Sequence, residues 1–275
     1  MDLMQAIILG AIQGLTEFFP VSSSGHLVIF QQMMGLKEPV LIFDISVHVG
    51  TLAAIVVYFF NDIIRIFKSF LRSASCRLSG QSEKLSKVEI SDTRMAWMLV
   101  AGSLPTAMIG FGMHMVSGVL FSSLTIVGVS LLVTGGILLG TRWMNQETEQ
   151  GLDLTIKQAL LIGTVQGLAV IPGISRSGST IVAGLFLGVN RDIAIRYSFL
   201  LSIPAILGAL VLQLFTDASG AGNISLVVIA AGLLTSLIVG YAALSLLVKM
   251  VQKGHLYFFT PYCFTLGVIA IIVGW

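Results

Sequence analysis

The chain has 275 residues, 56% hydrophobic and only 10% charged, with a formal net charge of +2. An ordinary soluble domain carries roughly a quarter charged residues, so a soluble fold is excluded and the chain reads as an integral membrane protein. Its apolar segments suit helices of about 20 residues and lack period-two alternation, which excludes an outer-membrane barrel in favour of a helical bundle.

In chain order, the N-terminus opens Met-Asp with no basic stretch before the first apolar run, and the first Lys is Lys37. A cleaved signal peptide is therefore not expected. Apolar stretches at 3–19 and 27–36 are too short to span and are broken by Pro, Gly and Ser, which predicts a re-entrant hairpin. A first full span is predicted at about 40–60. Residues 61–94 mix basic and acidic side chains without a periodic apolar face, and read as a solvated loop that also touches anionic headgroups. Spans at 95–116 and 119–141 follow, with Gly135-Gly136 read as permitting close helix packing. A second hairpin is predicted from 157–171 and 180–189, then spans at 193–215, 224–248 and 257–275, with Gly208 read like the earlier glycines. Cys76 and Cys263 resemble no metal or redox motif. The fold class is all-α: a polytopic membrane helical bundle of six transmembrane helices plus two re-entrant helical hairpins.

Three spans separate the hairpins, so the second unit enters from the opposite face. One membrane domain over 1–275 thus forms an inverted-topology repeat of about 1–150 and 151–275, whose hairpin tips meet near the bilayer midplane. Of the 15 Lys and Arg residues, all but Lys37 and Arg176 gather on one side of this path. The positive-inside rule makes that side cytoplasmic and puts both termini outside. Arg191, Asp192 and Arg196 read as anchors at its edge.

A polar phrase recurs at a constant offset of 153: Gln13, Gly14, Leu15, Ser22, Ser24 and Gly25 reappear as Gln166, Gly167, Leu168, Ser175, Ser177 and Gly178. Polar residues at membrane depth are costly, which makes the two tips the candidate site. Serines after Pro20 and Pro172 can cap the half-helices that follow, and two helix N-termini facing one another favour an anion. Arg176 adds a forked donor suited to phosphate or carboxylate. Gln13 and Glu17, four apart, point along one helix face, and His26 sits one turn into the next half-helix. This set suits phosphoanhydride hydrolysis: Arg176 and the amides stabilise phosphoryl charge, His26 activates a hydroxyl or water, and Glu17 holds a divalent cation or orients His26. The plainer readings are serine caps, a structural histidine and a neutralising Glu17–Arg176 pair. Asp44 and His48 share a helical face and read as a hydrogen-bonded pair or metal ligands. His114 and His255 are assigned no role.

At these residues the chain resembles the undecaprenyl-diphosphate phosphatase family linked to bacitracin resistance. Gln13-Gly-Leu-Thr-Glu17 matches the family's first motif, Glu or Gln followed three residues later by Glu, and leads into Pro20-Val-Ser-Ser-Ser-Gly-His26. Pro172-Gly-Ile-Ser-Arg-Ser-Gly-Ser-Thr180 matches its second, and the resemblance covers the whole chain. It implies hydrolysis of undecaprenyl diphosphate to the monophosphate in a bacterial cytoplasmic membrane, at an outward-facing site, with a divalent cation, Mg2+ or Ca2+. Glu17, Ser23, His26 and Arg176 are then the catalytic candidates, with Gln13, Ser22, Ser24, Ser175, Ser177 and Thr180 binding substrate. Glu17 is the implied metal ligand, since Gln13 stands where the doubly acidic version has Glu. The partners are the polyprenyl diphosphate and membrane lipid, a homodimer is compatible, and no nucleic acid is expected. Either Ser23 or water serves as the nucleophile on this reading. A lipid flippase or other secondary transporter is the competing class, because broken helices in inverted repeats are its usual architecture; an anion channel is a weaker third, for want of a pore-lining ring.

Overall fold

The computed structural model describes residues 1–36, 41–79, 85–114, 123–144, 153–216 and 225–274. Lys37 and Lys84, and the expected junction near residue 150, lie outside them. Eleven α-helices and no strand occur among the described residues: α1 (Leu3–Phe18), α2 (Ser23–Met33), α3 (Leu41–Tyr58), α4 (Phe60–Ser79), α5 (Lys87–His114), α6 (Leu124–Gly140), α7 (Ile156–Leu168), α8 (Arg176–Phe186), α9 (Arg191–Thr216), α10 (Leu226–Gln252) and α11 (Thr260–Val273). Helices α1–α2 and α7–α8 are the two predicted hairpins. Among the described residues five helical segments are long and apolar enough to cross a membrane, or six if α3 and α4, bent by 70° at their junction, count as one broken span. Counting that pair as one span puts three in each half, the number on which the expected inversion rests.

The packing repeats this relation. Helix α1 lies along α10 and α7 along α5; α1 pairs with α2 and α7 with α8; α6 packs on α11, its own counterpart under exchange of the halves. Small residues allow these approaches. A Cβ on Gly10 would stand 3.2 Å from the Gly232 Cα, and one on Gly163 would stand 2.8 Å from the Gly102 Cα, with backbone carbonyls closer still. A Cβ on Gly135 would stand 2.7 Å from the Phe264 ring, in line with the expected close packing, but one on Gly136 or Gly208 would meet nothing within 4 Å, so these two do not mediate packing. Gly163→Ala is therefore expected to lower stability by about 2 kcal/mol or more, because backbone cannot yield as a side chain can. Gly136→Ala should leave stability unchanged or slightly raised, through better helix propensity. Thermal unfolding of the two variants in detergent compares them directly.

The reading of 61–94 as a loop without a periodic face is corrected. Ile63, Ile66, Phe67 and Phe70 recur at helical spacing, and α4 buries Ile66, Ser69 and Ser73 while exposing Phe60, Phe67 and Leu71. Interspersed Arg65, Lys68 and Arg72 lower the mean hydropathy and mask this period. Arg196 is not a simple edge anchor either. It reaches Asp62 at 3.0 Å and Asp92 at 3.7 Å, and Arg65 contacts both acids at 2.9 Å, tying α4, α5 and α9 together around a buried Asp92.

Candidate active site

Each hairpin turns through a short tip, residues 19–22 in the first and 169–175 in the second, and the tips touch. The Gly173 N–H donates to Ser22 Oγ at 3.1 Å, and Ser177 Oγ donates to the Phe18 carbonyl at 2.8 Å. A Cβ on Gly178 would lie 2.7 Å from Pro20 Cβ, so only glycine lets the second half-helix approach the first tip this closely. Gly173 itself has φ +94° and lies against the Val127 backbone.

Glu17, the last acidic residue before the first tip, is the centre of the contact. Its Oε2 accepts from Ser23 Oγ at 2.6 Å and from Gln13 Nε2 at 3.0 Å, while its Oε1 pairs with the Arg176 guanidinium. Ser23 and Arg176 are both the first helical residue after their tips, in α2 and α8. They occupy equivalent positions in the repeat, since 23 plus 153 is 176. The duplicated scaffold thus aims two different side chains, hydroxyl and guanidinium, at one carboxylate, each taking a different oxygen. The second half carries Val170 where the first carries Glu17, so the repeat does not duplicate this carboxylate.

The caps differ between the tips. Ser175 accepts from the Gly178 N–H at 3.1 Å and so caps α8, as expected. Ser22 caps nothing: it has φ +67°, makes no side-chain cap bond, and spends its hydroxyl oxygen on Gly173. The first amides of α2 are therefore left without a side-chain acceptor, at the end of the helix where an anion is favoured. Ser24 lies 3.4 Å from Ser22 Oγ, Ser175 lies 3.3 Å from Ser177 Oγ, and Thr180 Oγ1 donates to the Arg176 carbonyl at 2.9 Å. These three brace the tips rather than touching Glu17.

His26 turns away from Ser23. Its Nδ1 lies 2.8 Å from the Ser22 carbonyl and its Nε2 lies 2.5 Å from the hydroxyl of Tyr262. The hydroxyl of Ser23 therefore has Glu17, not His26, as its proton acceptor in this geometry. Tyr262 escaped the sequence reading, as did two other residues of the helices that close each half. Cys263 of α11 donates through Sγ to the Pro20 carbonyl at 3.3 Å. Thr134 of α6 donates to the Gly173 carbonyl at 3.0 Å and accepts from the Ser175 N–H at 3.2 Å. Each tip is thus clamped by the last helix of the opposite half. A Thr, Tyr or Cys inside an apolar span is the only sequence signal for these contacts, and it is a weak one.

Asp44 and His48 do not pair through their side chains. Asp44 Oδ1 accepts from Gln31 Nε2 at 2.6 Å, and His48 Nδ1 donates to the Asp44 carbonyl at 2.7 Å. Among the described residues no three His, Cys, Asp or Glu side chains gather closely enough to hold a metal ion. The oxygen donors near Glu17 nevertheless suit a hard cation. Gln13 is wholly buried, and its Oε1 has no hydrogen-bond partner, which makes it a free acceptor beside the carboxylate. Such a set fits a cation only as a partial shell, completed by phosphate oxygens from a substrate, which is how Mg2+ is commonly held.

Fold and site together define a polytopic helical membrane protein whose charged centre lies where two re-entrant hairpins meet. Residues 6–269 match the family described as bacitracin resistance protein BacA, and the chain belongs to that family. It is similar over its whole length to proteins named undecaprenyl-diphosphatase. The protein from Desulfatibacillum aliphaticivorans is 46% identical, the alignment covering 99% of each chain. That from Desulforapulum autotrophicum is 48% identical over 100% of this chain and 99% of its own. That from Methanosphaera stadtmanae is 42% identical over 99% and 98%.

Proposed function

We propose that the protein is an integral-membrane phosphatase that hydrolyses undecaprenyl diphosphate to undecaprenyl phosphate and inorganic phosphate, recycling the lipid carrier of cell-wall synthesis and underlying bacitracin resistance. The observation that carries this reading is the convergence of Ser23 and Arg176, from equivalent positions of the two halves, on the buried carboxylate of Glu17. Anion translocation needs the guanidinium but has no use for a hydroxyl hydrogen-bonded to a carboxylate at 2.6 Å.

The diphosphate draws Arg176 from Glu17 onto its oxygens, where the guanidinium fork and the uncapped amides of α2 stabilise charge on the transferring phosphoryl group. Ser23 Oγ gives its proton to Glu17 Oε2 and bonds to the terminal phosphorus, and the bond to the bridging oxygen breaks with its electron pair leaving on undecaprenyl phosphate. Water then attacks the phosphoserine, and the proton on Glu17 returns to Ser23 Oγ as phosphate departs. Glu17 is the base here, with His26 orienting the tip. A divalent cation, Mg2+ or Ca2+, belongs to the reading: Gln13 Oε1 and Glu17 would hold it with the phosphate oxygens, and it would offset their charge. The side bearing Arg65, Arg94, Arg191 and Lys249 is taken as cytoplasmic, with both termini and the site facing outward across the cell membrane.

Purified protein in detergent is expected to release phosphate from a polyprenyl diphosphate, and to lose this activity in chelator and regain it with Mg2+ or Ca2+. Absence of release under every cation, together with movement of polyprenyl phosphate across liposomes, would establish the transporter reading instead.

A further inference from the structure

We propose that Tyr262 is a positioning residue of this site: its hydroxyl holds His26 in the Nδ1-protonated tautomer, and through His26 it holds the strained Ser22 turn that presents Ser23 to Glu17.

The hydrogen-bond directions follow from the partners. The Ser22 carbonyl only accepts, so the nitrogen 2.8 Å from it, Nδ1, carries the proton. The neutral ring then has its lone pair on Nε2, and the Tyr262 hydroxyl at 2.5 Å donates to it. The two rings stack with centroids 5.8 Å apart and planes 15° from parallel, so contact area adds to the hydrogen bond. In the opposite tautomer Nδ1 would turn a lone pair toward the Ser22 carbonyl oxygen, and that contact would become repulsive.

The Ser22 contact matters because Ser22 is the only non-glycine among the described residues with positive φ, at +67°. A left-handed residue with a Cβ persists only where its surroundings over-determine it. Two groups do so here: His26 on its carbonyl and the Gly173 N–H on its hydroxyl. Ser23 is the next residue, so the angle of this turn sets where its hydroxyl stands against Glu17. Helix α11 holds the tip at a second point through Cys263 and the Pro20 carbonyl, one residue along from Tyr262. Thr134 braces the other tip in the same way from α6. The chain separation of 236 residues between His26 and Tyr262 makes the contact a tertiary one.

The consequence for rate rests on the phosphatase reading; the tautomer does not. The test is 15N NMR of ring-labelled histidine in the purified protein, with the His26 signals assigned by loss in His26→Gln, together with kcat and KM for Tyr262→Phe. Wild type is expected to show the Nδ1-protonated pattern at His26. In Tyr262→Phe both tautomers become populated, kcat falls about 10-fold and KM stays within about 2-fold, since misplacing a reacting group costs turnover rather than binding. An Nε2-protonated His26 in wild type overturns the proposal even if the variant fails to fold. An unchanged kcat with an unchanged tautomer in Tyr262→Phe overturns it equally. Should wild type release no phosphate at all, the function reading fails while the tautomer measurement still decides the contact.

Discussion

Replacing Arg176 by Ala is expected to lower kcat/KM for polyprenyl diphosphate hydrolysis by about 10³-fold or more, the range in which arginines act on transferring phosphoryl groups. Two separate losses combine. The first is catalytic: Arg176 is the guanidinium paired with Glu17, and without it the charge building on the phosphoryl oxygens is left to the amides of α2 and α8 and to the divalent cation of the proposed site. The second is structural. The Glu17 side chain is 7% exposed and Arg176 20%, and removing one partner of a buried pair costs about 3–5 kcal/mol because the other charge is left uncompensated. The double variant Arg176→Ala, Glu17→Gln separates them. It should recover much of the thermal stability lost in Arg176→Ala and remain inactive, because neutralising Glu17 removes the stranded charge but also the base. Arg176→Lys keeps the charge without the fork and should fall between wild type and Ala in kcat/KM. Activity in the double variant above that of Arg176→Ala would mean that the pair is structural and the chemistry lies elsewhere.

The membrane class, the spans and the two hairpins were legible because hydropathy and chain breakers act locally. Pro20 and Pro172 with their serines interrupt apolar sequence whatever the rest of the chain does. The repeat was legible from identity at a constant offset, and counting spans is what leads to the expectation that it inverts. Helix α4 was not legible as a helix. Arg65, Lys68 and Arg72 fall between Ile63, Ile66, Phe67 and Phe70, so a hydropathy window averages two faces that the structure separates. The glycine contacts show a similar limit. Gly10 and Gly163 sit at close helix crossings and Gly136 and Gly208 do not, which depends on the partner helix and not on the local string.

In the site, residue types were legible and pairings were not. Gln13 and Glu17 meet because a helix brings i and i+4 together, and the structure has them at 3.0 Å. Ser23 on Glu17 is a contact across a turn, and Arg176 on Glu17 one across the halves, so neither follows from spacing within a helix. The serines read alike in sequence and act differently: Ser175 caps, Ser22 joins the tips, and Ser23 faces the carboxylate. His26 looked like a base for want of a visible partner. Its partner, Tyr262, lies on the last helix.

Ser23→Ala is the second large effect, with an expected loss of about 10³-fold in kcat, equivalent to about 4 kcal/mol of transition-state stabilisation. The size of this loss follows from where the hydroxyl proton goes. A serine hydroxyl is a weak nucleophile until a base takes its proton, and Glu17 Oε2 is 2.6 Å from Ser23 Oγ. The carboxylate cannot be held ready by Gln13 alone, which donates to the same oxygen but leaves no nucleophile in place. Arg176 and the amides remain in the variant, so slow direct attack by water should survive as a residual rate. Ser22→Ala makes the comparison specific: it removes the acceptor of the Gly173 N–H and loosens the tip, at an expected cost of about 10-fold, without touching the nucleophile. Rapid acid quench of wild type with a terminally labelled polyprenyl diphosphate should leave acid-stable phosphoserine, located at Ser23 by peptide mapping and absent from Ser23→Ala. If Ser23→Ala turns over within about threefold of wild type, water attacks directly and Glu17 is the base for water, with Ser23 reduced to a hydrogen-bond donor on the carboxylate.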